Sequence, residues 1–320
     1  MKRTLYEQIQ ANKRASLLYS LLLVLLLAAL GTAMVGTYYP RQWYLGTAGA
    51  AGLGIFMAFL ARFAGSSIIL SISGAREATQ AEDQMLSNVV EEMAIAGGIP
   101  KPKIYVIDDP SPNAFATGPD PDHAIVAITT GLMFKLDRDE LQGVMAHELA
   151  HIRNYDIRFM TTIAMIAGLI PLLADMFVRM QWFGGGRRRD RDGDNGLGAI
   201  FAIVGIVLAI LAPIFAKLLE MAVSRQREYL ADASAAEMTR YPEGLARALQ
   251  KISMDPEPLA SANRATQHMY IINPRHLSGD DVANIFSTHP PTQDRIQRLM
   301  NMMGSSQAPD PDLQAQRQRI

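Results

Sequence analysis

Four stretches of this chain stay apolar for about the thickness of a bilayer, and the polar residues between and after them fall into two blocks. Residues 15–39 form a run of 25 without a charge. At about 1.5 Å per residue such a run crosses a hydrocarbon core of about 30 Å as a helix. A shorter run covers 44–61 and continues past Arg62 towards Gly74. The third, 159–178, is interrupted by Pro171 and Asp175, and the fourth covers 196–216. Helices of soluble proteins rarely go so long without charge, because one face must meet water. A secretory leader does not explain the first run, which is too long and is followed directly by a second. The pattern predicts an integral membrane protein with two hydrophobic helical hairpins, 1–74 and 158–218.

The polar blocks carry shorter periods. Residues 78–96 have the spacing of an amphipathic helix that stops at Gly97-Gly98. β-branched runs at 103–107 and 124–130, bounded by Pro, Asp and Gly, read as strands. Asp137, with Glu140 three positions on, is an N-cap signature. The helix it opens has an apolar stripe of Leu141, Val144, Met145, Leu149 and Ile152. After the fourth apolar run, 217–239 reads as a helix of its own. The fold expected is mainly α, in the α+β class, with a small sheet packed on the helix that follows Asp137. The polar blocks, 75–157 and 219–303, form one domain divided by the second hairpin. A tail, 304–320, is rich in Ser, Gln, Pro and Asp and predicts disorder.

Charge sets the expected orientation. Lys2, Arg3, Lys13 and Arg14 precede the first run, whereas only Arg41 lies in the connection to the second. By the positive-inside rule the N-terminus and the block after the second run are cytoplasmic, with Tyr38, Tyr39, Trp43 and Tyr44 as an aromatic belt at the far face. The loop at 181–195 carries Arg187, Arg188, Arg189 and Arg191, which favour the cytoplasmic side as well. That conflict leaves open whether the second hairpin crosses fully or lies around the domain. The net charge of −1 gives no electrostatic case for a nucleic-acid partner. The chain has no cysteine, so any metal site must be built from His, Asp and Glu.

Such a site is written into the helix that begins at Asp137. Of six histidines, two are His147 and His151, in His147-Glu148-Leu149-Ala150-His151. Four residues apart on a helix, they share a face and can bind one Zn²⁺, with Glu148 beside them as a base for water. A third ligand must come from another segment. Glu228 fits that need, and Asp232, one turn further, fits as an acceptor for the outer N–H of His147. The same carboxylates suit a solvated helix face on which they pair with Arg225 and Arg227.

The order of these pieces resembles a known family. It comprises two spans, Asn113-Ala114-Phe115-Ala116-Thr117-Gly118, the 147–156 stretch, two more spans, residues 224–232, and Thr288-His289-Pro290-Pro291-Thr292. This resembles the HtpX membrane zinc peptidases, relatives of the CAAX prenyl protease, and covers nearly the whole chain. The resemblance implies a zincin-type cytoplasmic catalytic domain at a bacterial inner membrane. It implies one Zn²⁺ held by His147, His151 and Glu228, with Glu148 as catalytic base and His289 hydrogen-bonding the oxyanion. It also implies that Asn113, Ala114, Phe115 and Ala116 form an edge strand to which an extended substrate adds. Arg295, Asn154 and Asp156 match the pattern and are expected as structural pairs. The implied activity is hydrolysis of polypeptides, namely misfolded or damaged membrane proteins. The alternatives are a peptidase of lipid-modified proteins and a non-catalytic metal-binding membrane scaffold. A membrane protease needs restraint, and the arginine loop is a candidate cover for the cleft.

Overall fold

Helix α1, Leu5–Tyr38, and helix α2, Trp43–Phe63, form the first hairpin, joined by a tight turn at Pro40–Gln42. Their backbones cross closely at Gly31 and Gly46. A Cβ on Gly31 would collide with the Gly46 carbonyl and the Ala50 Cβ, so small residues set the approach. Beside the crossing, the Thr32 and Thr47 hydroxyls lie 2.6 Å apart, one donating to the other. The second apolar run does not continue as one helix. Ala64 leaves the helical region at φ −124°, and α3, Gly65–Ile72, follows at a new angle. The computed structural model describes residues 5–79, 84–183, 195–257, 269–272 and 290–306. The arginine loop (residues 184–194), His289 and the tail from 307 lie outside the described residues.

The extramembrane domain begins with β1, Arg76–Glu77, a strand that composition does not announce. Ala78, expected to open a helix, instead donates its N–H to the Ile104 carbonyl and extends the strand pairing. Helix α4 is described over Gln84–Gly97. Strands β2, Lys103–Ile107, β3, Ala114–Thr117, and β4, Ile125–Thr129, complete a four-stranded sheet of order β1-β2-β4-β3. β2 and β4 run parallel, while β1 and β3 are antiparallel to their neighbours, which leaves β3 at one edge. A short α5, Thr130–Lys135, leads into α6, Arg138–Arg153. The N-cap expected at Asp137 is present as a reciprocal capping box. The Asp137 carboxylate accepts from the Glu140 N–H, and the Glu140 carboxylate accepts from the Asp137 N–H, both at 2.9 Å.

The third apolar run is two helices, α7, Asp156–Ala167, and α8, Leu169–Phe183, interrupted at Gly168. The fourth run and the helix expected after it are one element. Helix α9, Asn195–Thr239, runs 45 residues with Pro213 inside it. Hydropathy changes near Lys217, but no residue there stops a helix, and Pro213 removes one hydrogen bond without ending the ladder. Two further helices follow, α10, Pro242–Ser253, and α11, Thr292–Ser306. The last reaches past the expected start of the tail at residue 304.

Two cores result. In the membrane part α1 packs on α2, α8 and α9, and α7 on α2, so both hairpins share one bundle. Its centre is Leu23, Leu27, Leu30, Phe159, Ile163, Ile166 and Ala212. Leu25, Phe59, Ile203, Val207 and Ile210 face outward as an apolar surface. Among the described residues four spans are long and apolar enough to cross a membrane, the third made of α7 and α8 together. In the extramembrane part α6 lies between the sheet, α4 and α10, with Val89, Val126, Ile128, Leu141, Met145 and Leu249 wholly buried. Gly143 lets α10 approach: a Cβ there would sit 2.5 Å from the Leu245 backbone nitrogen. We therefore expect Gly143→Val to push α10 off α6 and to cost about 1–3 kcal/mol through overpacking. A thermal melt of the detergent-purified protein measures that loss.

Candidate metal centre

The C-terminal half of α6 carries the two histidines into the deepest part of the domain. His147 is wholly buried, and Glu148 and His151 are nearly so. Helix α9 lies alongside and contributes Glu228. The two imidazole Nε2 atoms are 3.2 Å apart. Glu228 Oε2 lies 3.6 Å from His147 Nε2, and Glu228 Oε1 lies 3.4 Å from His151 Nε2. All three donor groups present an atom within 4.8 Å of the others.

Each histidine is held from behind by a carboxylate. His147 Nδ1 lies 2.9 Å from Asp232 Oδ1, and His151 Nδ1 lies 3.2 Å from Asp156 Oδ2. Protons on both Nδ1 atoms leave both Nε2 lone pairs turned toward each other and toward an anionic Glu228. Asp156 reaches its place through a sharp turn, in which Tyr155 adopts φ +61°, rare for a residue with a side chain. Arg227 sits 3.0 Å from the other Asp156 oxygen and stacks 3.9 Å above the Phe159 ring. Arg295, from α11, clasps Asp232 with two hydrogen bonds of 2.9 and 2.8 Å and approaches Glu228 Oε2 at 3.1 Å.

This arrangement corrects one expectation. Glu228 and Asp232 do not form a solvated face: both are buried, and Arg295 rather than Arg225 or Arg227 lies against them. Asp156 and Arg295 form pairs, as expected, and each touches a candidate ligand or its hydrogen-bond partner. Asp156 was readable as the acid closing the stretch that starts at His147. Arg295 carried no local signal, because its partners lie some 60 residues earlier on α9.

The pocket is built for added positive charge. Glu148, Asp156, Glu228 and Asp232 are four buried carboxylates, and Arg227 and Arg295 are two buried guanidinium groups. With all of them ionised, two negative charges lack compensation. Burial disfavours a charged His151, yet the Asp156 and Glu228 carboxylates push it up to about 10. Burial and the nearby Arg295 charge instead depress His147, against the hydrogen bond it donates to Asp232, and so favour its neutral form. Arg295 is held firmly protonated: burial opposes its charge, but Asp232 and Glu228 outweigh it. A divalent cation among His147, His151 and Glu228 supplies what these groups call for, so the residues fit a metal. Glu148 is raised to about 7 by burial, with His151 pulling it down and Glu228 pushing it up. The Ala116 backbone N–H donates to it, tying the carboxylate to β3.

The remaining predicted site residues lie along that strand. Asn113, Ala114, Phe115 and Ala116 are all buried at the sheet edge beside α6. The outer side of that edge is not open: the Ile271 N–H donates to the Ala114 carbonyl at 3.0 Å. His123 is exposed and pairs with Asp120.

Known proteins resemble this chain along most of its length. The family model for peptidase family M48 matches residues 80–303. A protease HtpX homolog of Dictyoglomus thermophilum is 50% identical over 301 residues, covering 94% of this chain and 95% of that protein. Another, from Ligilactobacillus salivarius, is 45% identical over 298 residues, covering 93% of this chain and all of the relative. Among solved structures, S. mikatae Ste24p aligns with 84% of this chain and 60% of its own, at 18% identity and a TM-score of 0.48. With a buried His-His-Glu cluster beside four apolar helices and relatives aligned nearly end to end, the chain belongs to peptidase family M48 as an HtpX-like, multi-pass membrane metalloprotease.

Proposed function

We propose that this protein is a zinc endopeptidase that cleaves misfolded or damaged membrane proteins at the cytoplasmic face of a bacterial inner membrane. In this reading His147, His151 and Glu228 hold one Zn²⁺, and Glu148 is the general base. The observation that carries it is the meeting of two imidazoles and one carboxylate within 4.8 Å, beside a further buried carboxylate outside the set. Two nitrogen donors and one oxygen donor, with no sulfur, suit zinc, and three protein ligands are the pattern of catalytic rather than structural sites. Bound there, Zn²⁺ supplies a Lewis acid for the scissile carbonyl and lowers the pKa of water towards about 7.

The chain's own groups do the rest. Asp232 and Asp156 fix the tautomer and tilt of the two imidazoles, so that both Nε2 atoms aim inward. Glu148, anchored by the Ala116 N–H, takes the proton of the attacking water and returns it to the departing amide nitrogen. His289 is assigned, on the family resemblance, to hydrogen-bond the oxyanion. Lys2, Arg3, Lys13 and Arg14 support a cytoplasmic domain. A site beneath a bundle of four spans favours substrates that are themselves in the membrane.

Four outcomes test the reading. Glu148→Gln is expected to retain its metal, measured by elemental analysis, while cleavage of casein in detergent falls at least about 100-fold. In the wild type a zinc chelator should abolish cleavage and added Zn²⁺ restore it. Cleavage by Glu148→Gln near the wild-type rate would remove Glu148 from the role of base. Glu228→Ala should purify with much less metal, and full occupancy would take it out of the ligand set. Asp156→Asn should weaken metal affinity about 10- to 100-fold, read by competition with a chromogenic chelator.

A further inference from the structure

The third apolar span carries a pair of charges on its outside. Asp175 and Arg179, one turn apart on α8, are 60 and 70% exposed, and Arg179 Nε donates to Asp175 Oδ2 at 2.7 Å. The inward face of the same helix is Ile170, Ala174 and Phe177, all buried. The two charges therefore point away from the bundle, among Leu172, Met176 and Met180, which are exposed as well.

Their depth follows from the helices alongside. A Cβ on Gly198 would sit 3.1 Å from the Thr37 carbonyl oxygen, so the start of the fourth span lies level with the turn of the first hairpin. Phe177 packs its ring against Gly205 and leaves no room for a Cβ there. Gly205 stands about 14 Å of helix past Gly196, where the fourth span begins. Asp175, half a turn from Phe177, thus lies near the middle of a hydrocarbon layer of about 30 Å. Arg179 does not reach out to the rim, as a lone arginine does; it turns back along the helix to Asp175.

Pairing cancels the two charges but not their hydrogen-bonding capacity. A guanidinium has several N–H donors and a carboxylate has two acceptor oxygens. Among the described residues neither side chain has a partner besides the other. Lipid tails offer none, and neither water nor a headgroup reaches that depth. Ionisable groups within spans ordinarily face a bundle interior or a partner. A second copy of this chain does not suit this face. Copies inserted the same way are related by an axis along the membrane normal, which sets Asp175 against Asp175 and Arg179 against Arg179. A different helix with one amide or charged side chain at this depth does suit it, because the pair offers both a donor and an acceptor.

We propose that the outward face of α8 around Asp175 and Arg179 is a docking surface, inside the bilayer, for a substrate's transmembrane helix that carries a polar side chain at the same depth. In an assembled membrane protein such side chains are turned into the protein's own bundle; in an unassembled or damaged one they face lipid. The pair therefore reads the state of a membrane protein and not its cleavage sequence. Asp156, which holds His151, stands at the other end of the same span. A helix docked along α8 delivers its adjoining extramembrane segment to the side where the candidate metal centre lies. This rests on the peptidase reading above and names its substrate class more closely.

The test uses the full-length, zinc-loaded protein in phosphatidylcholine vesicles. Two reporters share an unfolded extramembrane segment and a single leucine–alanine span, and differ only in having asparagine or leucine at the depth of Asp175. The asparagine reporter should be cleaved with a KM about 3- to 10-fold lower and a similar kcat, the size of one interhelical hydrogen bond in lipid. In the Asp175→Leu/Arg179→Leu double variant, which leaves no unpaired charge, the two reporters should have equal KM. A wild type that does not discriminate, or a double variant that still does, overturns the proposal. Cleavage of casein but of neither reporter overturns it and leaves the peptidase reading standing. Protein that cleaves neither casein nor reporter defeats that reading and this proposal with it. Should the double variant not fold, a photoreactive residue in place of Met176 in the Glu148→Gln protein decides. It should cross-link the asparagine reporter at least about threefold more than the leucine one. Equal cross-linking, or cross-linking chiefly to a second copy of the chain, overturns the proposal.

Discussion

Placing ionised groups in a protein interior costs several kcal/mol per ion unless each finds an opposite charge in good geometry. This chain places six there around one point. Asp232 is clasped by Arg295, Asp156 lies against Arg227, and Glu228 turns one oxygen to Arg295 and both toward the histidines. Meeting that requirement decides much of the rest. It brings α7, α9 and α11 around the C-terminal half of α6, because each supplies a charge the others need. It also explains why α6 has glycine at 143: the helix must be deep, so its neighbour must come close.

The family match runs from residue 80 to 303 and so includes α7, α8 and all of α9. The second apolar hairpin therefore lies inside the matched region. Geometry gives the reason. Asp156, at the foot of α7, and Glu228, towards the end of α9, stand on helices that enter and leave the apolar bundle. The first hairpin precedes that match, yet the curated relatives align across it as well.

Elements with a strong local period were legible in the sequence. Helix α6, its capping box and the strands β2 and β4 follow from spacing within a few residues. What escaped depends on tertiary partners. Helix α9 was read as two elements because its polarity changes near Lys217 while its helical propensity does not. The environment of Glu228 stayed open because Arg225 and Arg227 stood nearby as plausible partners, and only the fold brings in Arg295 from α11. Asp156 depends on a left-handed turn at Tyr155, a conformation that tyrosine does not advertise. The pairing of Ile271 with Ala114 joins positions far apart in the chain, beyond the reach of any local pattern.

One helix, α9, is at once the fourth apolar span and the carrier of Glu228. An α-helix transmits rotation and tilt along its length through its hydrogen-bond ladder, which in α9 lacks one bond at Pro213. A span adjusts its tilt to the thickness of the surrounding hydrocarbon. The carboxylate that closes the His-His-Glu cluster therefore stands on a lever whose other arm is immersed in lipid. The seat of Glu228 is thereby coupled to the tilt of an apolar span.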